Sequence, residues 1–248
     1  MSLEFKDPNS EANKTCQKLF LWFCVLINRF PFLRNLFINF GFCQSNLIAN
    51  FRTHFNTQPK LFYDRESLWQ FLLKYEKSVE FSVLEFGVAW GYCTNYFLSR
   101  PSSIQSWHGF DTFEGLPEDW RHYQKGHFSN NGNPPNISDG RLSWHIGLVE
   151  ETFNYKDNIF RMNNSSLLII FDMDLFFPTY FVLSEIAPHL SEGDLLYFDE
   201  PHDFDEFSIV HFLLKLNSGK IEVIGATPCQ LVIKVKENGI IFPSYSRS

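Results

Sequence analysis

VLEFGVAWGYCTNYF, residues 83–97, is the stretch on which the reading of the fold turns. An apolar run carries an acid, Glu85, at its end, and Gly87 and Gly91 then mark a turn into residues that suit a helix. In an α/β fold this strand, acid and glycine turn form the edge of a nucleoside site, because glycines let a ligand approach the backbone closely. The spacing is not G-x-G-x-x-G, and the Lys-Ser/Thr pair of a phosphate loop is missing, so a diphosphate cofactor is disfavoured.

Working outward, SVLEFG, QSWHGFD, RLSWHIG, SLLIIFD and DLLYFDE each read as a buried strand, with helical stretches such as residues 178–190 between several of them. Such alternation predicts a Rossmann-like, doubly wound α/β sheet, mostly parallel. KIEVIGA and CQLVIKV, separated by Thr227 and Pro228, predict a closing hairpin with an antiparallel C-terminal edge. The expected organisation is an N-terminal helical accessory segment over 1–77 and one catalytic domain over 78–248. A helix is expected over 65–77, with Leu68, Phe71 and Leu72 on one face. FSNNGNPPNISDG, residues 128–140, reads as a turn-rich loop able to move over a ligand.

The acids supply the chemistry. Glu85 would repel a phosphate and accept from a cationic amino group, which favours S-adenosylmethionine; Phe86, Gly87, Gly91 and Thr94 are the neighbouring cofactor contacts expected. Asp111 ends the next strand, where α/β sites commonly bind ribose hydroxyls. Further on, LLIIFDMDLFFPTYF brings Asp172 and Asp174 to a strand end, and GDLLYFDEPHDFDEF brings Asp199 and Glu200 to the next. Carboxylates gathered in one crevice repel one another unless a hard cation such as Mg²⁺ neutralises them, so Asp172, Asp199 and Glu200 are candidate metal ligands. The alternative is that these acids cap helices and contact the cofactor without a metal. His202 has two readings, base or metal ligand against a solvated surface residue. His108 and His145 fall inside strands as structural histidines, and Cys93 has a packing role.

Composition sets the boundaries. A formal charge of -7 without a long basic run disfavours nucleic acid as a partner. Five scattered cysteines without a C-x-x-C pair argue against a disulfide scaffold or zinc knuckle, and the polar, acidic residues 1–11 against a secretory signal; a cytoplasmic location is expected. The apolar stretch at 19–42 is interrupted by Asn28, Arg29, Pro31 and Arg34, so no membrane span is expected. Residues 14–55 are instead expected to form short helices that cover the core or make a homo-oligomer interface, ahead of membrane-surface association.

LEFGVAWGYCTNYF, GFDTFEGLPEDW, GLVEETF and FDMDLFFPTYFVLSEIAPHLSEGDLLYFDE together resemble the class I methyltransferases related to the macrocin O-methyltransferases of natural-product biosynthesis. The resemblance runs over residues 83–200, about half the chain, and GFDTFEGLPEDW is its most specific block. It implies S-adenosylmethionine, often Mg²⁺-assisted O-methylation, and a small-molecule acceptor such as a sugar or secondary metabolite. It also implies that Glu85, Gly87 and Gly91 surround the methionine part, that Asp111, Thr112 and Phe113 line the ribose and adenine side, and that Asp172, Asp199 and Glu200 hold the metal, with Asp172 the candidate catalytic base. The chain departs from the family at Glu200, where a second Asp is common, and at LFFPT, residues 175–179, where LYxST is common. A non-catalytic binding or assembly protein retaining the same fold is the alternative from another class.

Overall fold

The computed structural model describes residues 59–75, 79–155, 160–162, 165–202 and 204–244. The helices and interface expected over 14–55 lie outside the described residues.

In chain order the described elements are β1 (Lys60–Leu61), α1 (Arg65–Lys74), β2 (Phe81–Phe86), α2 (Tyr92–Leu98), β3 (Ile104–Asp111), β4 (Leu142–Ile146) and α3 (Val149–Thr152). Then come β5 (Ser166–Phe171), α4 (Phe176–Ile186), a 3₁₀ turn (Ala187–His189), β6 (Leu195–Phe198), α5 (Phe204–Leu216), β7 (Ile221–Ala226) and β8 (Leu231–Val235). The strands form one sheet in the order β1-β7-β8-β6-β5-β2-β3-β4. Every pairing is parallel except those of β8, which runs antiparallel to both β6 and β7. The Rossmann-like, mostly parallel sheet with an antiparallel hairpin at one side is thus as the alternation predicted. One detail differs: β8 turns back between β6 and β7, and the outer edge of β7 is covered by β1, paired in parallel through Lys60 with Gly225 and Leu61 with Ala226.

Both faces of the sheet are covered, so its central strands are buried throughout; all six residues of β2 are buried. Alternation along β2 sends Leu84 and Phe86 to one face, where they join Phe153, Phe171, Val182, Ile186 and Val210. Phe81 and Val83 point the other way, toward Leu68, Trp69, Tyr96, Phe97 and Trp107. Helix α1 begins where Asp64 accepts from Ser67 N–H at 2.8 Å, which satisfies a donor that the first turn leaves free. Pro178 sits in the first turn of α4, where its missing N–H costs no intrahelical bond; the helix therefore starts at Phe176, two residues earlier than the sequence suggested. Among the described residues, no helix is long and apolar enough to cross a membrane.

A buried ion pair ties the opposite edge together. Asp194 is fully buried and accepts two bonds from Arg161, at 2.9 and 2.7 Å, and one each from the N–H groups of Leu167 and Ser191 at 2.8 Å. It joins the start of β5 to the turn before β6. Asp194→Ala would leave Arg161 unpaired in a mostly buried position, and is expected to lower unfolding free energy by about 3–5 kcal/mol in urea denaturation.

Candidate active site

Parallel strands place their carboxyl ends along one edge, and in open α/β sheets the ligand crevice lies there. β2, β3, β5 and β6 end at Phe86, Asp111, Phe171 and Phe198, so the acids within or just after them fall side by side. Three backbone bonds fix the spacing at that edge: Gly87 N–H to Phe110 O at 3.0 Å, Asp172 N–H to Phe86 O at 2.8 Å, and Asp199 N–H to Phe171 O at 3.0 Å.

Asp111 organises the turn after β2. Its Oδ2 accepts from the N–H groups of Val88 and Ala89 at 2.7 and 2.8 Å, and its Oδ1 from Phe113 N–H at 2.7 Å. These bonds hold Ala89 at φ 48° and Phe113 at φ 56°, left-handed conformations that a non-glycine residue adopts only when its surroundings enforce them. Asp111 and Thr112 remain partly exposed at the crevice, and each carboxylate oxygen has two acceptor lone pairs, so Oδ1 keeps capacity for a ligand hydroxyl. The turn-rich loop is tied to this corner, because Phe113 O accepts from the N–H groups of Asn130 and Gly132 at 2.9 and 2.8 Å.

Gly87 has a different constraint. At φ 84° an added Cβ would stand 1.8 Å from the carbonyl oxygen of Asp172, so this glycine lets β2 and β5 close on each other at the crevice. Gly91, at φ 73°, is the N-cap of α2, and a Cβ there would press on Pro135 and Ile137 of the loop.

Glu85 takes a position the sequence did not suggest. Expected beside the cofactor's amino group, it is 1% exposed, and its Oε2 accepts from Trp107 Nε1–H at 2.8 Å and from the Thr94 hydroxyl. Burial, opposed by those hydrogen bonds, pushes its carboxyl up to about 7. Phe86, Thr94 and Phe113 are also enclosed: Phe86 stacks on Phe110 at 4.7 Å, and Phe113 meets Trp144 edge-on at 5.7 Å. Of the expected cofactor residues, Gly87, Asp111 and Thr112 are partly exposed, while Glu85, Phe86, Gly91, Thr94 and Phe113 form the wall behind them.

Asp172 is partly exposed, and enclosure of its carboxyl, with Asp199 next to it in effect, pushes it well above the ordinary carboxylate range. Asp174 follows at φ 65°. Asp199 is buried, with Oδ2 bound to Arg65 Nη2 at 2.7 Å and Oδ1 accepting from the Tyr197 hydroxyl at 2.8 Å. Glu200 pairs with Arg121 at 3.1 Å. Arginines thus neutralise two of the three acids expected to hold Mg²⁺, and among the described residues no group of three or more His, Cys, Asp and Glu side chains is arranged to hold a metal. The donor set does not fit a hard divalent ion, because a site for one needs carboxylate oxygens free to face it.

Arg65, Arg121 and Glu206 escaped the sequence reading. Glu206 is buried, accepts from Glu200 N–H at 3.0 Å, and is pushed well above the carboxylate range by burial. Tyr197 had a signal, since a residue two before Asp199 on a strand shares its face. Arg65 had none, being 134 residues from its partner. His108 and His145 sit 3.0 Å apart, and burial followed by His145 holds His108 down to about 4. His202 Nδ1 lies 3.4 Å from Cys229 O. Cys93 lies on the buried side of α2, and burial raises its thiol well above the usual range.

The fold is similar to that of solved methyltransferases. The chain is similar in fold to CalS11, a calicheamicin methyltransferase, with 19% identity, a TM-score of 0.50, and coverage of 92% of this chain and 94% of that one. A second solved structure, the O-methyltransferase NovP, matches at 14% identity and a TM-score of 0.45, over 68% of this chain and 76% of that one. No protein-family model and no curated protein matches the chain.

Two outcomes are expected. Gly87→Ala should lower unfolding free energy by at least about 2 kcal/mol in chemical denaturation, since strain at positive φ adds to the clash with Asp172. For Glu85, a folded pKa above the unfolded value of 4.5 means that the folded state binds more protons, so its contribution is present below 4.5 and lost as pH rises through about 7. In thermal melts across that window, wild type should therefore lose stability relative to Glu85→Gln by about 1.4 kcal/mol per pH unit at most.

Proposed function

We propose that this chain is an S-adenosylmethionine-dependent methyltransferase that methylates an oxygen of a small molecule. The observation that carries the reading is the corner where Asp111, pinning the turn after β2, and Asp172, closing on Gly87, stand at the ends of β3 and β5, on either side of β2. The likeness of fold to CalS11, a calicheamicin methyltransferase, supports methyl transfer to a small molecule here, a sugar or secondary metabolite.

When bound, S-adenosylmethionine supplies a methyl group already activated on a sulfonium sulfur, so the protein's task is alignment and exclusion of water. Asp111 would accept from the ribose through the spare capacity of Oδ1, with Thr112 beside it, and the partly exposed backbone of Gly87 allows close approach of the methionine part. Glu85 acts from behind the wall. By holding Thr94 of α2 and Trp107 of β3 together, it fixes the glycine turn from within the core.

Asp172 is the acceptor's base. Asp172 would take the proton of the acceptor hydroxyl, while the methyl group supplied by the bound cofactor would pass to that oxygen as its bond to the sulfonium sulfur breaks and leaves a neutral thioether. A carboxyl raised above the ordinary range is better matched to take a proton from a weakly acidic hydroxyl than one at the ordinary value. Glu206 is buried beside this edge, and burial favours its uncharged form.

Isothermal titration with S-adenosylmethionine should show binding to the wild type, weakened about tenfold or more in Asp111→Ala. Absence of heat at millimolar cofactor would remove the reading. Mass spectrometry of candidate acceptors should find addition of a single methyl group. In Asp172→Asn the rate should fall by about 10²–10⁴-fold with cofactor affinity retained, and wild-type turnover should decline as pH falls and Asp172 is protonated.

A further inference from the structure

Two arginines stand where the sequence pattern calls for a cation. Arg65 is the first residue of α1, and its place is set twice: Phe62 N–H bonds Ala226 O at 2.9 Å, continuing the β1–β7 pairing, and Asp64 caps the helix immediately before it. From there the side chain crosses to the end of β6 and donates to Asp199 at 2.7 Å, with 16% of Arg65 and 3% of Asp199 side-chain surface exposed. Tyr197 takes the other oxygen of Asp199, and the guanidinium carbon stands 5.7 Å from the Trp69 ring, which limits its freedom to swing away. Beside it Arg121 pairs with Glu200.

We propose that the Arg65 guanidinium occupies the place of a divalent cation, making the crevice one that works without a metal. A hard ion such as Mg²⁺ needs several oxygen ligands at about 2.0–2.1 Å with their lone pairs free. Here each oxygen of Asp199 already accepts one bond, Oδ2 from the Arg65 cation itself, and an ion entering beside them would face that fixed positive charge at short range in a poorly solvated position. Arg65 supplies the same service as the ion. It offsets the charge of Asp199 so that Asp172 can sit nearby, and it does so tethered to the chain, beyond the reach of chelators. It is a positioning residue, acting through Asp199 on the surroundings of Asp172. The inference takes the location of the crevice from the proposed function, but its test requires neither cofactor nor turnover.

The experiment is titration of the chelator-treated full chain with Mn²⁺, followed by the electron paramagnetic resonance signal of the free ion. Wild type is expected to leave that signal undiminished at sub-millimolar Mn²⁺, and Arg65→Lys, which keeps the charge, should behave alike. Arg65→Gln frees Asp199 and should bind Mn²⁺ at least about tenfold more tightly than wild type, and Arg65→Gln/Asp199→Asn should lose that gain. Tight Mn²⁺ binding by wild type that disappears in Asp199→Asn overturns the proposal. So does a folded Arg65→Gln, judged by circular dichroism and melting, that gains no Mn²⁺ affinity. Should Arg65→Gln not fold, the wild-type and Asp199→Asn titrations decide alone. Failure of the methyltransferase reading would show separately, as absent heat with S-adenosylmethionine.

Discussion

Parallel strands ending side by side carry Glu85, Asp111, Asp172 and Asp199 to one edge of the sheet, and the mutual repulsion of these carboxylates is the constraint under which the site is built. Each acid meets it differently. Glu85 retreats into the core and is pushed up to about 7, with Thr94 and Trp107 as donors. Asp111 spends its charge on three backbone N–H groups. Asp199 takes an arginine and a tyrosine, and Asp172, left with the fewest direct partners, is the one whose proton affinity rises toward use.

These solutions also shape the backbone. The N–H groups that Asp111 gathers come from the turn after β2, so neutralising that acid and holding a turn open to a ligand are one act. Gly87 permits β2 to run against Asp172 where a side chain would collide with the carbonyl. Arg65 links β1 and α1 to the end of β6, which joins the entry of the described chain to the crevice rather than leaving it as a cover.

Division of labour between charged and neutral groups follows. Burial favours the uncharged form of Glu206, and at neutral pH His108 beside His145 is a neutral imidazole because burial disfavours its cation. The two arginines are the permanent charges at the edge, since a guanidinium stays protonated in a protein. A crevice with fixed positive charge and a partly exposed carboxyl of raised proton affinity suits proton removal from a hydroxyl while a methyl group is transferred.

The sequence by itself determined the sheet and the residues that could make the site. Alternating apolar runs separated by helical stretches give parallel strands, and an acid at each strand end then falls at one edge, because side-chain alternation and right-handed crossovers leave little freedom. Local pattern also located Gly87, Asp111 and Asp172. Which acid stays partly exposed at the crevice and which is enclosed by protein was decided only by the tertiary structure. Glu85 reads as a ligand contact until Trp107 and Thr94 close over it, and Asp199 and Glu200 read as metal ligands until Arg65 and Arg121 reach them. No periodicity records that an arginine will meet an aspartate 134 residues away, because that meeting is made by strand pairing and helix packing and leaves no mark on its neighbours in the chain.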